Sequence, residues 1–309
     1  MTLPRSLALL LAALVAGALG AGCGLGPGES SEGEVRLTVT RDYGADRILE
    51  ASREDPRETE TVLSVLDREA EIKTRYGGGF IQAIDGIEGS LAGGRTFDWF
   101  FYVNGIESEI GAADAAVAGG DMVWWDHHDW TEVMRVPAVV GSWPEPFRQA
   151  SSGSERVAVR VECAGPEAPC RIAEDALADA GVSSTVVGFG DDVPGKSLRL
   201  VVGEWSAVSG DDTVGLIDRG PESSGVFARP GSNGFQLLDE RGQPAGEAGG
   251  LVAATRNGEG PPTWLVTGMS PAGVTAAAEL LDAETLRDRY AVATSEGIEV
   301  PLPVAGDAP

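Results

Sequence analysis

The chain has 309 residues, 42% of them apolar, and 48 acidic side chains against 23 basic ones, for a formal charge of −25. That acidity excludes a nucleic-acid partner, whose phosphates need a basic face, and it opposes peripheral binding to anionic lipid. Length and apolar content leave room for two ordinary domains, each with a core.

The N-terminus reads as an export signal. Arg5 supplies a positive charge, Leu7 to Leu19 is apolar without charge or proline, and Gly20-Ala21-Gly22 leads into Cys23. Charged, apolar and small-residue regions in that order mark a secretory signal. A cysteine directly after them is similar to a bacterial lipoprotein signal, in which the thiol is lipidated and becomes the new N-terminus, although Gly20 stands where such signals usually carry an aliphatic residue. The apolar run is shorter than the ~20 residues of a spanning helix. We therefore expect a signal peptide over 1–22, lipidation at Cys23, and a protein held outside the cytoplasm on the membrane by that lipid. Residues 23–34 are Gly, Ser, Pro and Glu rich and read as a flexible tether.

A first folded domain is expected over 35–147. Val35, Leu37 and Val39 alternate with polar residues, the pattern of a half-buried strand. Arg47 to Ala51 reads as its hairpin partner, and Glu60-Thr61 opens a helix with Val62, Leu63, Val65 and Leu66 on one face. Strands follow at Phe80 to Ile84 and at Trp99 to Val103, the latter closed by the hairpin pair Asn104-Gly105. Met122 to Trp125 begins a last strand. Strand pair, helix, then more strands is the order of an α+β β-grasp.

Four runs carry a resemblance: Thr61 to Leu66, Gly79 to Ile87, Trp99 to Gly105, and Gly120 to Trp124. In this order they resemble the C-terminal domain of transcobalamin and intrinsic factor, also found in bacterial surface lipoproteins of unknown function. The likeness covers about a third of the chain. It implies a β-grasp that binds a ligand, with cobalamin or another corrinoid first. The helical barrel that holds the other face of the corrinoid in the vertebrate proteins has no counterpart here, so the fold carries over better than the ligand.

After a linker at 148–155, residues 156–300 read as an α/β layered domain. Val157, Val159 and Val161 alternate on a strand, Ile172 to Ala180 is helical, and apolar strands recur at Ser184 to Phe189, Ser197 to Val202, Gly225 to Ala228, Phe235 to Leu238, Leu251 to Thr255 and Thr263 to Thr267. Cys163 and Cys170, in an oxidising compartment, are expected to form a local disulfide between strand and helix. Ser270 and Pro271 suit the N-cap and N1 positions of an Ala-rich helix over Val274 to Leu281. Residues 301–309 form a tail expected to fray.

Aromatic residues supply the candidate ligand-binding set: Trp99, Phe101, Tyr102, Trp124, Trp125 and Trp130, with His127. Neighbours on a strand point to opposite faces, so Trp124 and Trp125 cannot share one core. One of them must face a ligand or partner, or pack on the second domain or on an irregular loop. Asp126-His127-His128-Asp129 holds both histidines of the chain; one could ligate a corrinoid cobalt or a haem iron, but a solvent-exposed, acid-flanked strand end is the plainer expectation. No metal site and no catalytic residue is assigned. Gly268 to Gly273 lacks the lysine of a phosphate loop, and Gly220 to Gly225 lacks the Gly-x-Ser-x-Gly spacing. The sequence thus favours a non-enzymatic binding protein, with no required cofactor, that captures a small molecule for a vitamin import system. The alternative is an envelope module for protein–protein contact or structure.

Overall fold

The computed structural model describes residues 31–76, 79–148, 157–192 and 195–306. The signal, Cys23 and most of the tether and linker lie outside the described residues. The architecture is mixed α/β and rich in strand, with four sheets among the described residues.

In the first half the elements are β1 (Glu34–Arg41), β2 (Asp46–Glu54), α1 (Val62–Glu69), β3 (Ile72–Arg75), β4 (Phe80–Ile84), β5 (Ile87–Glu88), β6 (Ser90–Ala92), β7 (Arg95–Val103), β8 (Ile106–Glu107) and β9 (Met122–Asp129). The main sheet runs β2-β1-β9-β7-β6, with β8 paired to β7, and β3-β4-β5 forms a small separate sheet. β1 and β9 are parallel; their neighbours pair antiparallel. Helix α1 starts where Thr61 and Ser64 close a reciprocal capping box. Its apolar face, Val62, Val65 and Leu66, packs with Val35, Leu37, Val39 and Val123 of the sheet. Asn104 and Gly105 have φ of 53° and 74°, so they make the two-residue turn that joins β7 to β8.

The second half contains β10 (Ala158–Ala164), α2 (Glu167–Asp179), β11 (Ser184–Gly188), β12 (Ser197–Glu204), α3 (Trp205–Val208), α4 (Pro221–Ser224), β13 (Ala228–Pro230), β14 (Phe235–Leu238), β15 (Pro244–Ala248), β16 (Gly250–Thr255), β17 (Thr263–Gly268), α5 (Pro271–Ala278), α6 (Ala283–Leu286), β18 (Ala291–Ser295) and β19 (Ile298–Leu302). Its seven-stranded sheet runs β11-β10-β12-β17-β16-β18-β19, parallel through β17 and antiparallel beyond. β16 and β17 are buried at every position, which explains why their only polar side chains are threonines. Ser270 accepts the Gly273 N–H and Pro271 fills N1 of α5. A disulfide joins Cys163 on β10 to Cys170, with Cα atoms 6.0 Å apart. Helix α2 begins earlier than its apolar pattern suggested, so Cys170 already lies inside it.

Two expectations about the chain ends need correction. Pro301 and Leu302 complete β19, and the Val304 N–H donates to Leu238 O at 2.9 Å, so the tail is fixed at least this far. At the other end, the Ser31 N–H donates to Pro56 O at 2.9 Å and its hydroxyl accepts the Gly119 N–H at 2.8 Å. The last residues of the tether therefore already belong to the packed body.

The halves share a core. Tyr43, Tyr102 and Trp124 of the first lie in one apolar cluster with Trp205, Phe227, Phe235 and Tyr290 of the second. The ion pair of Arg47 with Asp288 crosses the same junction.

Candidate functional site

β9 lies at the centre of the main sheet, between β1 and β7. Alternation along it sends Trp125, His127 and Asp129 to one face and Trp124, Asp126 and His128 to the other. The first face packs on α1 and its neighbours, the second on the other half of the chain. Trp124 is 3% exposed and Trp125 2%. Both faces of the sheet are covered at β9, and the second half supplies the covering for the outward row.

The seven predicted binding residues do not converge. Trp99, Phe101, Trp125 and His127 share the α1 side, where Trp99 Nε1 donates to Ile87 O at 3.0 Å and Phe101 lies 4.7 Å from Trp125 between ring centres. Tyr102 and Trp124 lie on the opposite side, and Trp130 is half-buried beyond the end of β9. The expectation of a solvent-exposed Asp126–Asp129 strand end is overturned: all four residues are buried. β9 continues four residues past Trp125 while still paired to β7, so its end stays inside the sheet.

On the junction side, Asp126 organises a dense polar knot. Its carboxylate accepts the backbone N–H of Tyr43 at 3.1 Å and of Gly44 at 2.9 Å, with Thr40 Oγ1 and the Tyr290 hydroxyl as further donors. His128 Nδ1 lies 2.9 Å from the same carboxylate. Burial by itself would raise the Asp126 pKa, but the hydrogen bonds and charge of His128, with Thr40 and Gly44, hold it below the usual carboxylate value. The His128 ring is sandwiched between Tyr43 and Phe100, with centroids 4.4 and 4.5 Å away. Burial raises the phenol pKa values of Tyr43 and Tyr290, so both stay protonated donors. The knot is buried, with Asp126 and His128 shielded from solvent. It fixes the β1–β2 turn, in which Asp42 and Tyr43 adopt left-handed φ of 54° and 58°.

That turn forms part of a cleft of about 630 Å³ between the two halves. The first half contributes Asp42, Tyr43 and Arg95; the second contributes the β14–β15 turn Asp239-Glu240-Arg241, Arg289 and an apolar wall from Val300 to Val304. Arg95 bridges the junction, donating to Asp129 at 2.6 Å and to Glu240, with its guanidinium 4.9 Å above the Phe97 ring. A space of this size at a junction suits a small organic molecule. Sequence reasoning missed Arg95, Arg241 and Arg289. They are dispersed along the chain and belong to no motif, so only the docking of the halves brings them together.

His127 lies away from this cleft, against Phe97 and Trp99. Burial pushes its pKa down, and its Nε2 has no hydrogen-bond partner among the described residues. Among the described residues no group of three or more His, Cys, Asp or Glu side chains is placed to hold a metal ion.

Residues 59–129 match the family model of a domain of unknown function, DUF4430. No curated protein matches the chain. Solved structures that it resembles include a crystal structure of a protein from Ruminococcus gnavus ATCC 29149, provisionally described as metal binding. It is 18% identical, with a TM-score of 0.26, and the alignment covers 32% of this chain and 98% of that one.

Proposed function

We propose that the protein is an extracytoplasmic binding protein, anchored through a lipid on Cys23, that captures a small molecule in the cleft between its two halves and passes it to an import system. The cleft carries this reading. It is built from both halves, its turn is strained and locked by the buried Asp126, and it combines an apolar wall with several charged side chains. Residues 35–147 are read as a transcobalamin-like β-grasp. A strand hairpin, one packed helix and a central parallel β1–β9 pair support that assignment, as does the domain match over 59–129.

A corrinoid is the first ligand to test, but the aromatic row of Phe100, Tyr102 and Trp124 is covered by the second half and offers it no open face. The deciding experiment is native mass spectrometry of the protein isolated from its own cells, beside an absorbance titration with cyanocobalamin. One bound small molecule per chain, lost when Ala305→Trp fills the cleft, is the expected result. A chain that carries nothing and takes up no corrinoid sinks the capture reading.

A second reading, protein–protein contact in the envelope, is favoured by large apolar side chains left in solvent, chiefly Tyr76 at 88% and Leu91 at 78% exposed. Cross-linking on intact cells that traps a partner through these two positions would favour it.

A further inference from the structure

We infer that the cleft receives a small organic anion with a single charged head, held by Arg241 and Arg289, and an apolar body laid along Val300 to Val304. The inference rests on the capture reading and names the chemistry of its ligand.

Each carboxylate at this site already has a partner. Asp129 takes Arg95 at 2.6 Å and the Thr131 N–H at 3.0 Å, and Glu240 takes another nitrogen of Arg95. Asp239 accepts two N–H groups of its own turn, from Arg241 at 2.9 Å and Gln243 at 2.8 Å. Asp42 lies 3.8 Å from Arg41. The guanidinium groups of Arg241 and Arg289 have no hydrogen bond or ion pair among the described residues, although both residues line the cleft. Arg289 is half-buried. In a chain with a formal charge of −25, two guanidinium groups without a carboxylate at a cleft between the halves are conspicuous. A partly desolvated cation gains from a counter-ion, and the planar fork of arginine matches carboxylate and phosphate oxygens.

The remaining wall sets the body of the ligand. Val300, Pro301, Pro303 and Val304 present apolar surface, and the prolines have no N–H to donate. The Tyr43 hydroxyl is already committed to Asp129 O at 2.5 Å. Contact there is therefore by apolar burial. Asp42, Asp239 and Glu240 around the same space repel additional negative charge, which selects one anionic head over a polyanion.

The test uses two fluorescent probes on the full mature chain: 8-anilinonaphthalene-1-sulfonate, which has an apolar body and one anionic head, and its neutral relative N-phenyl-1-naphthylamine. The sulfonate should bind saturably at one site. Arg241→Gln with Arg289→Gln should weaken it about tenfold and leave the neutral probe unchanged, while the Lys pair should recover part of the loss. Octanoate and octyl phosphate then compete separately: the stronger competitor identifies the head as carboxylate or phosphate, and octanamide should not compete. Ala305→Trp should abolish binding of both probes. If that variant abolishes binding but the arginine pair changes nothing, or octanamide competes as well as octanoate, the capture reading stands and the anion inference falls. If Ala305→Trp leaves both probes bound, the cleft is not their site and both claims fall.

Discussion

Trp124 and Trp125 are sequence neighbours buried in different cores. Trp124 packs with Tyr290 of the second half at 5.2 Å between ring centres, and Trp125 with Phe101 at 4.7 Å on the side of α1. Alanine at either position should therefore cost about 3–5 kcal/mol, the usual loss for a buried large aromatic. Urea unfolding of the two variants checks this. A Trp124→Ala chain as stable as the parent would mean that the second half leaves that face open in solution.

Asp126→Asn should destabilise the chain by about 2–3 kcal/mol, because the amide is uncharged and places a donor among donors in a buried site. The sign of the pH effect follows from the lowered pKa of Asp126. Its stabilisation is present above the unfolded-state value and is lost as pH falls through the still lower folded value. The parent should thus lose stability below about pH 4, and the variant should lose less over that range. Thermal melts from pH 7 down to pH 2.5 distinguish the two.

Glu107 behaves in the opposite sense. Burial raises its pKa to about 7, against the lowering effect of Arg135 beside it. The folded state then binds more protons than the unfolded one between the two pKa values, so stability is greatest below the unfolded value and falls as pH rises through about 7. Glu107→Gln should remove this dependence and gain up to about 3 kcal/mol over the parent at pH 8, with the gain vanishing below pH 4. Denaturation midpoints measured across that range that run parallel for the two proteins would refute it.

Cys23→Ala should release the protein from membranes without unfolding it, because the sequence from Gly24 to Ser30 is Gly and Pro rich and offers only Leu25 to a core. Fractionation followed by circular dichroism tests both parts. A variant still in the membrane fraction would exclude the lipid as the anchor.

Much of the local structure was legible from periodicity and turn chemistry. The alternation of Val35, Leu37 and Val39, the Thr61 cap, the Asn104-Gly105 turn and the Ser270-Pro271 start all report interactions within a few residues. What lay hidden was how the halves dock. The Trp124-Trp125 doublet required two coverings and could not name the second. The acids flanking His127 and His128 looked solvated because nothing local reveals that Tyr43 and Tyr290, far apart in sequence, close over Asp126. The cleft arginines were illegible for the same reason, since Arg95, Arg241 and Arg289 meet only through tertiary contact.

The parallel pairing of β1 with β9 also decides how the molecule carries load. A pull on the leading end of β1 acts along the strand. Its ladders with β2 and β9, the latter spanning Arg36 to Arg41 against Met122 to His127, are then strained in shear. Cross-strand bonds loaded this way resist together, whereas those of a hairpin pulled open yield one after another. A protein held at that end and dragged by flow or by a bound partner would keep its fold under tension.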